Sequence, residues 1–184
     1  MKKNFKIAAI LMIIAAICGL AVSGMNMITA PIIERNQLEK EAALCKEIFS
    51  DYDMDASGKP ITEGLSNEAI SKKVIARNAA GELIGYIYTV AGKNSYGPIS
   101  LLVGIGADGK LVSAEFLENG QSYGKQVENH VNSSYTSGLT LEEITNINTS
   151  CGATYGANTV KELVTIAFND YKMEVHNNGR KTKC

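Results

Sequence analysis

The sequence has no surplus of basic charge: 18 lysines and arginines face 19 aspartates and glutamates, for a formal net charge of -1, and neither sign forms a long run. That balance argues against a nucleic-acid partner, because backbone phosphates are normally met by a basic excess or a basic stripe. Cysteine is sparse and scattered, with four in 184 residues, which excludes a disulfide-stapled scaffold. There are two histidines, His130 and His176, and no C-x-x-C or H-x-x-x-H spacing. Structural zinc or an iron–sulfur cluster is therefore not expected, and lone surface histidines are the simpler reading. What the chain does have is apolar content, 45% against 20% charged. That is the composition of one folded domain with something attached, not of a disordered chain.

The apolar residues are concentrated at the start. Residues 7–30 contain no charged side chain, and Lys2, Lys3 and Lys6 precede them. At about 1.5 Å per residue such a helix is roughly 36 Å long, enough to cross a hydrocarbon core of about 30 Å with some tilt. The three lysines before it, against Glu34, Arg35, Glu39, Lys40 and Glu41 after it, place residues 1–6 in the cytoplasm and the bulk of the chain outside the cell membrane by the positive-inside rule. A cleaved signal peptide is the main competitor, since Ala21-Val22-Ser23 offers small residues at the usual spacing. Against it, the apolar run continues through Met25, Met27 and Ile28; a lipoprotein signal ending at Cys18 is opposed by Ile17 just before it. An uncleaved single-pass anchor is the favoured reading. Gly19, Ser23, Gly24 and Asn26 would let this helix pack closely on other membrane helices, and an inert anchor remains equally open.

Beyond Pro31, Leu38, Ala42, Cys45 and Phe49 recur at helical spacing among charged residues, so residues 31–50 are expected to form an amphipathic stalk. In it, Cys45 reads as a small buried apolar residue. A turn-rich segment, Asp51 to Ser66, opens the folded domain, expected over residues 51–172. From Lys73 the period shifts to two. Val74 to Arg77, Leu83 to Val90, Ile99 to Ile105 and Lys110 to Leu117 read as four strands, with turns at Asn78 to Gly81, Gly97-Pro98 and Asp108-Gly109. In the fourth, Val112, Ala114 and Phe116 alternate with Ser113 and Glu115; the third is apolar on both faces and should be central. Helices are expected at Lys125 to Val131, followed by a polar loop to Gly138, and at Val160 to Tyr171. Residues 173–184 read as a polar tail without periodicity. Strands followed by helices on one side of an antiparallel sheet make the domain α+β.

One literal motif fails on its context. Gly104-Ile105-Gly106-Ala107-Asp108-Gly109 matches the dinucleotide fingerprint G-x-G-x-x-G, yet Lys110 to Leu117 alternates like a strand where that fingerprint needs a helix. A hairpin turn explains these glycines without a ligand. The sequons at Asn132 and Asn148 arise easily in a chain rich in serine and asparagine and are given no role.

Directly before the last helix runs Asn148-Thr149-Ser150-Cys151-Gly152-Ala153-Thr154-Tyr155-Gly156-Ala157-Asn158-Thr159. Its small residues allow close backbone approach. Thr159-Val160-Lys161-Glu162 fits a capping box, which puts a helix N-terminus, and with it free N–H groups suited to a phosphate, within a few residues of Thr154. From composition alone, a small-residue loop capping a core helix is the favoured reading of the stretch.

Cys151-Gly152-Ala153-Thr154, followed by a helix, resembles the S/T-G-A-T flavinylation motif of the FMN-binding domain family. That domain is found in the RnfG subunit of the Rnf ion-translocating ferredoxin:NAD oxidoreductase and in the corresponding subunit of the sodium-pumping NADH:quinone reductase. Lys2 to Lys6 with the single span and Thr29-Ala30-Pro31-Ile32-Ile33-Glu34 resemble the anchor of the Rnf subunit. Gly97-Pro98-Ile99 through Val103-Gly104-Ile105, Asp108 to Leu111 and Glu115 to Glu118 resemble the central strands of the domain, and the short length favours the RnfG type over its larger relative.

The resemblance implies FMN joined through its phosphate to Thr154 by a separate flavin transferase, with Cys151, Gly152 and Ala153 completing the cofactor-binding motif. It implies a membrane-anchored electron-transfer subunit, on the extracytoplasmic side, among the other membrane subunits of an Rnf-type translocase, without independent catalysis. The sequence departs from the family at Cys151, where Ser or Thr is usual, at Asn148, where Asp is frequent, and at Gly156, where Ser or Thr is frequent. Of the family's E-T-P-G-L-G run, Glu118 to Gly124 keeps only Glu118 and Gly124. The alternative implied by these departures is a non-flavinylated structural or assembly subunit of such a complex.

Overall fold

A computed structural model describes residues 2–181. The chain divides after Lys40 into two compact units. The first is made of helix α1 (Lys2–Ile48), whose last eight residues belong to the second unit. Within it, Lys6–Ile48 is long and apolar enough to cross a membrane, with a mean hydropathy of 2.6 in its most apolar window and none of that window buried. The expected span and stalk are thus one unbroken helix. Pro31 lies inside it and has no N–H to give to the carbonyl of Met27. Nearby, the Thr29 hydroxyl donates to the carbonyl of Met25 at 2.9 Å, the bond its short side chain makes to the preceding turn.

The second unit is built on a four-stranded antiparallel sheet in the order β1 (Ile70–Arg77), β2 (Leu83–Asn94), β3 (Gly97–Gly106) and β4 (Leu111–Asn119). Around it stand α2 (Met54–Ser57), α3 (Gly124–Ser134), α4 (Leu141–Thr145) and α5 (Thr154–Lys181). The architecture is the expected α+β one, and the strands lie where the alternation put them, somewhat longer. The glycines of the apparent nucleotide motif form the β3–β4 hairpin: Gly106 N donates to Lys110 O, and Gly109 takes a positive φ of 78° in the turn. Strict alternation fails in β4. A register shift places Gly104 opposite Ser113 but Ile105 opposite Leu111, so Val112 is passed over. Val112 then packs on the opposite face from Leu111, Ala114 and Phe116, as a bulge requires.

Both faces of the sheet are covered, which corrects the expectation of helices on one side only. On one face Tyr88, Val90, Leu101, Val103 and Ile105 pack with Val127 and Val131 of α3 and with Val160, Val164, Ala167 and Phe168 of α5. On the other, Val74, Ala76, Ile87 and Leu102 pack with Cys45, Ile48 and Tyr52. The last turns of α1 therefore serve as a core element. Two missing side chains make room for them. A Cβ on Gly104 would collide with Cγ2 of Ile48, and one on Gly85 would stand 2.5 Å from Cζ of Phe49.

α5 also exceeds its expected limits. Residues 173–181, read as part of a polar tail, continue the helix, while residues 182–184 lie outside the described residues. One reason is on the same helix face. Asp170 and Glu174, one turn apart, both pair with the buried ammonium of Lys73 in β1, at 3.1 and 2.9 Å, and Ser66 N donates to the second oxygen of Asp170 at 3.1 Å. Burial by itself would raise the Asp170 carboxyl, but the hydrogen bonds from Ser66 and Lys73 outweigh it and hold it below its usual range. For Lys73, burial favours the neutral amine, and the bonds to Glu174 and Asp170 outweigh that and raise its pKa.

This packing can be tested at two positions. Gly104→Ala should destabilise the full chain by about 1–3 kcal/mol through overpacking, and Ile48→Ala in the same chain should recover part of that loss, as read by thermal unfolding in detergent. Asp170→Asn, which leaves Lys73 short of one buried partner, should cost about 3–5 kcal/mol near neutral pH. Because the folded pKa of Asp170 is depressed, its contribution is present above the unfolded carboxylate range and is lost as pH falls through the lower folded value. Because that of Lys73 is raised, its contribution is complete below the ordinary lysine value and is lost as pH rises through the higher folded one. The variant should accordingly lose part of the decline in stability below about pH 4, measured by denaturant titration across pH.

Candidate functional site

Three segments meet at the N-terminal end of α5: the β2–β3 turn, the loop from Gly120 to Tyr123, and the residues from Gly152 to Gly156. They enclose a cleft of about 260 Å³ lined by Tyr96, Gln121, Tyr123, Val127, Gly152, Ala153, Thr154, Tyr155 and Gly156. No lining residue carries a charge.

Local bonds hold each segment. The turn is fixed by Asn94, whose Oδ1 accepts from Tyr96 N at 2.8 Å and whose Nδ2 donates to Thr159 Oγ1 of α5 at 2.9 Å. Against the turn lies the Gly120 loop: Gly120 N donates to Pro98 O, Ser122 N donates to Tyr96 O, and the buried Gln121 amide donates to Gly97 O. Gly97 is required here on two counts. Its φ is 136°, and a Cβ would run into the backbone of Gly120, whose carbonyl carbon would lie 2.7 Å away. Glu118 to Gly124 thus reaches the cleft through Gln121 and Tyr123.

The residues ahead of α5 form a sequence of tight turns. Asn148 Oδ1 accepts from Ser150 N at 3.0 Å, Cys151 N donates to Thr149 O at 3.0 Å, and Gly152 has a φ of 80°. Helix α5 then starts at Thr154, six residues before the expected Val160. The capping box expected at Thr159 is not formed, because Thr159 is inside the helix, where its hydroxyl donates to Tyr155 O. A capping box does exist at Thr140 and Glu143, at the start of α4. The sequence Thr140-Leu141-Glu142-Glu143 carries the same local signal as Thr159 to Glu162, and there the fold uses it.

The true start of α5 is chemically unusual. Its first intrahelical bond runs from Ala157 N to Ala153 O, so the amides of Thr154, Tyr155 and Gly156 have no intrahelical acceptor. The residue at the capping position is Ala153, which has no side-chain acceptor to offer them and is among the poorest caps. A helix of 28 residues therefore presents its positive end to the cleft uncapped, with Thr154 as its first residue.

Of the four motif residues read from the sequence, Gly152, Ala153 and Thr154 line this cleft, and the half-buried Cys151 thiol does not. Gly156 has a packing reason of its own: a Cβ there would come within 2.5 Å of Val127 Cγ2 on α3 and 3.2 Å of Gln121 Oε1. Tyr96, Gln121, Tyr123, Val127 and Tyr155 are lining residues that the sequence reading does not single out. The tyrosines give one available signal, three large aromatic residues set in turn-rich, polar stretches.

Fold and site together define an α+β domain with a cleft at one helix N-terminus, preceded by a helix long and apolar enough for a single membrane crossing. Residues 1–48 match the family model described as the RnfG N-terminal region. The match covers the first 48 of the 184 residues and ends where α1 ends, before the sheet begins, so it is a likeness of the N-terminal helix to the RnfG subunit. A comparison with curated proteins returns no match.

The turn glycine gives a direct check on how the cleft is built. Gly97→Ala should destabilise the full chain by about 1–3 kcal/mol, the usual cost of a strained backbone conformation. It should also change the near-UV circular dichroism of the tyrosines, since it displaces the segment that carries Tyr96.

Proposed function

We propose that this subunit carries FMN joined through its phosphate to the Thr154 hydroxyl, and that it relays electrons within an Rnf-type complex on the extracytoplasmic side of the cell membrane. The observation that carries the reading is the uncapped N-terminus of α5, which begins with Thr154 in a cleft free of charged side chains. The residues present fit a phosphate ester. Aligned amides at a helix start favour a negative group by about 0.3–1 kcal/mol when exposed and up to about 2 kcal/mol when partly buried. No carboxylate in the lining opposes it, and Gly152, with its positive φ, turns the chain into the helix two residues before the threonine. When bound, FMN would supply the reversible electron uptake that none of these side chains provides. The protein's part is to hold the phosphate at α5 and to fix the approach to it through Gly152 and Ala153.

This reading requires a flavin transferase as a partner that recognises the exposed turn around Cys151, and other membrane subunits to give and take electrons. The charge asymmetry around the span, Lys2, Lys3 and Lys6 before it, supports the N-terminus in the cytoplasm.

Intact mass of the protein co-produced with an active flavin transferase tests the proposal. The wild type should gain the mass of FMN less one water and show in-gel flavin fluorescence after denaturation, and Thr154→Val should show neither. An unmodified wild type, in cells that flavinylate a known family member, would overturn the covalent reading and leave a structural subunit. Cys151→Ser should load at least as much flavin as the wild type, because the cysteine lies outside the cleft lining.

A further inference from the structure

Three tyrosines stand at the cleft with far more exposure than the core tyrosines: Tyr96 at 42%, Tyr123 at 54% and Tyr155 at 64%. They come from three different segments, yet they form one cluster. The ring of Tyr96 lies 5.5 Å from that of Tyr155, tilted by 41°, and 6.4 Å from that of Tyr123, tilted by 59°. Each carrying segment is tied down separately. Tyr96 is held by Asn94 and by Ser122 N on its carbonyl, Tyr123 directly precedes α3, and Tyr155 is in the first turn of α5. A contiguous aromatic surface kept in place by this many bonds, and left uncovered, is the kind of patch that marks a ligand site.

We infer that this cluster is the seat of the flavin ring, with Tyr96 at its centre; the inference rests on the attachment at Thr154 proposed above. An isoalloxazine is flat and aromatic, and the cleft that Thr154 lines carries three tyrosines and no charged side chain. Aromatic rings stack favourably when offset or tilted, and phenols keep their hydroxyl in water while doing so. Tyr155 follows the attachment residue directly, and the ribityl chain separates ring from phosphate, so the ring can lie across Tyr96 while the phosphate stays at the helix start. The cleft, at about 260 Å³, is small and open. The ring therefore rests on the tyrosines with one face covered and the other left accessible, the arrangement that an electron relay handing over to another subunit needs.

Flavin fluorescence of the flavinylated full chain, in detergent, reads this contact directly. A phenol touching a photoexcited flavin gives it one electron and takes the same electron back, so emission is quenched with no net oxidation. Wild type, Tyr96→Leu, Tyr123→Leu and Tyr155→Leu are compared at equal attached flavin, established by intact mass, and equal helix content, established by far-UV circular dichroism. The wild type should emit weakly and brighten several-fold on denaturation. Tyr96→Leu should brighten several-fold while folded, with smaller gains in the other two; if Tyr96→Leu alters the fold, Tyr155→Leu carries the comparison. Equal emission from wild type and variants at full attachment would overturn the ring seat and leave the Thr154 linkage standing, with the cluster then a contact for another protein. A wild-type mass without flavin would overturn both.

Discussion

A strand that buries Leu101, Leu102 and Val103 completely has to be covered on both faces, and most of the globular unit is the answer to that requirement. Successive side chains of β3 point to opposite sides of the sheet, so neither face can be left to water. α5 and α3 close one side. The other is closed by the end of the helix that also provides the apolar N-terminal segment, and Gly85 and Gly104 are the positions that let Phe49 and Ile48 come down onto the backbone of the strands. Glycine in a strand interior weakens the strand, and here the offset is the packing those absent side chains permit.

The cleft depends on the same arrangement at one remove. α5 is fixed along its length by its apolar stripe and near its far end by Asp170 and Glu174 on Lys73. With the helix held in this way, its first turn does not need a cap for the unit to fold, and the free amides are left for a ligand. The β2–β3 turn is then brought to that first turn by the register of the two strands, whose pairing runs unbroken to Asn94 opposite Gly97. Aromatic side chains at the turn, in the loop ahead of α3 and on α5 meet at the cleft although they are far apart in the chain.

Much of the fold is legible in the sequence because it is written in periodicity. The apolar run of α1, the alternation of the strands and the stripe from Val160 to Tyr171 each reflect burial of one face or of both, or exposure to an apolar medium. Other features depend on contacts at long sequence separation and leave no local trace. The second cover of the sheet needs Ile48 to meet Gly104. The extension of α5 past Tyr171 rests partly on Glu174 meeting Lys73, and Val112 changes face because of a bulge. At the candidate site, the motif from Gly152 to Thr154 stands out by its small residues, and those three do line the cleft. The start of α5 is hidden because Thr159 and Glu162 mimic a cap; in the folded chain Thr159 is occupied with Tyr155 and Asn94. Gly156 makes sense only once Val127 is seen to fill the space its side chain would need.

The shared use of α1 has a consequence for how the protein can be divided. Cys45 and Ile48 belong to the core beneath the sheet, so the residues between Lys40 and Phe49 are not a tether that can be trimmed. A soluble fragment has to begin no later than Glu41, whose carboxylate also reaches Lys72 on β1 at 2.6 Å. Cutting after Ile48 would remove Cys45 and Ile48 and leave Phe49 and Tyr52 as partial cover over Val74, Ile87 and Leu102, and the product would be expected to aggregate even though every strand and the whole cleft had been kept.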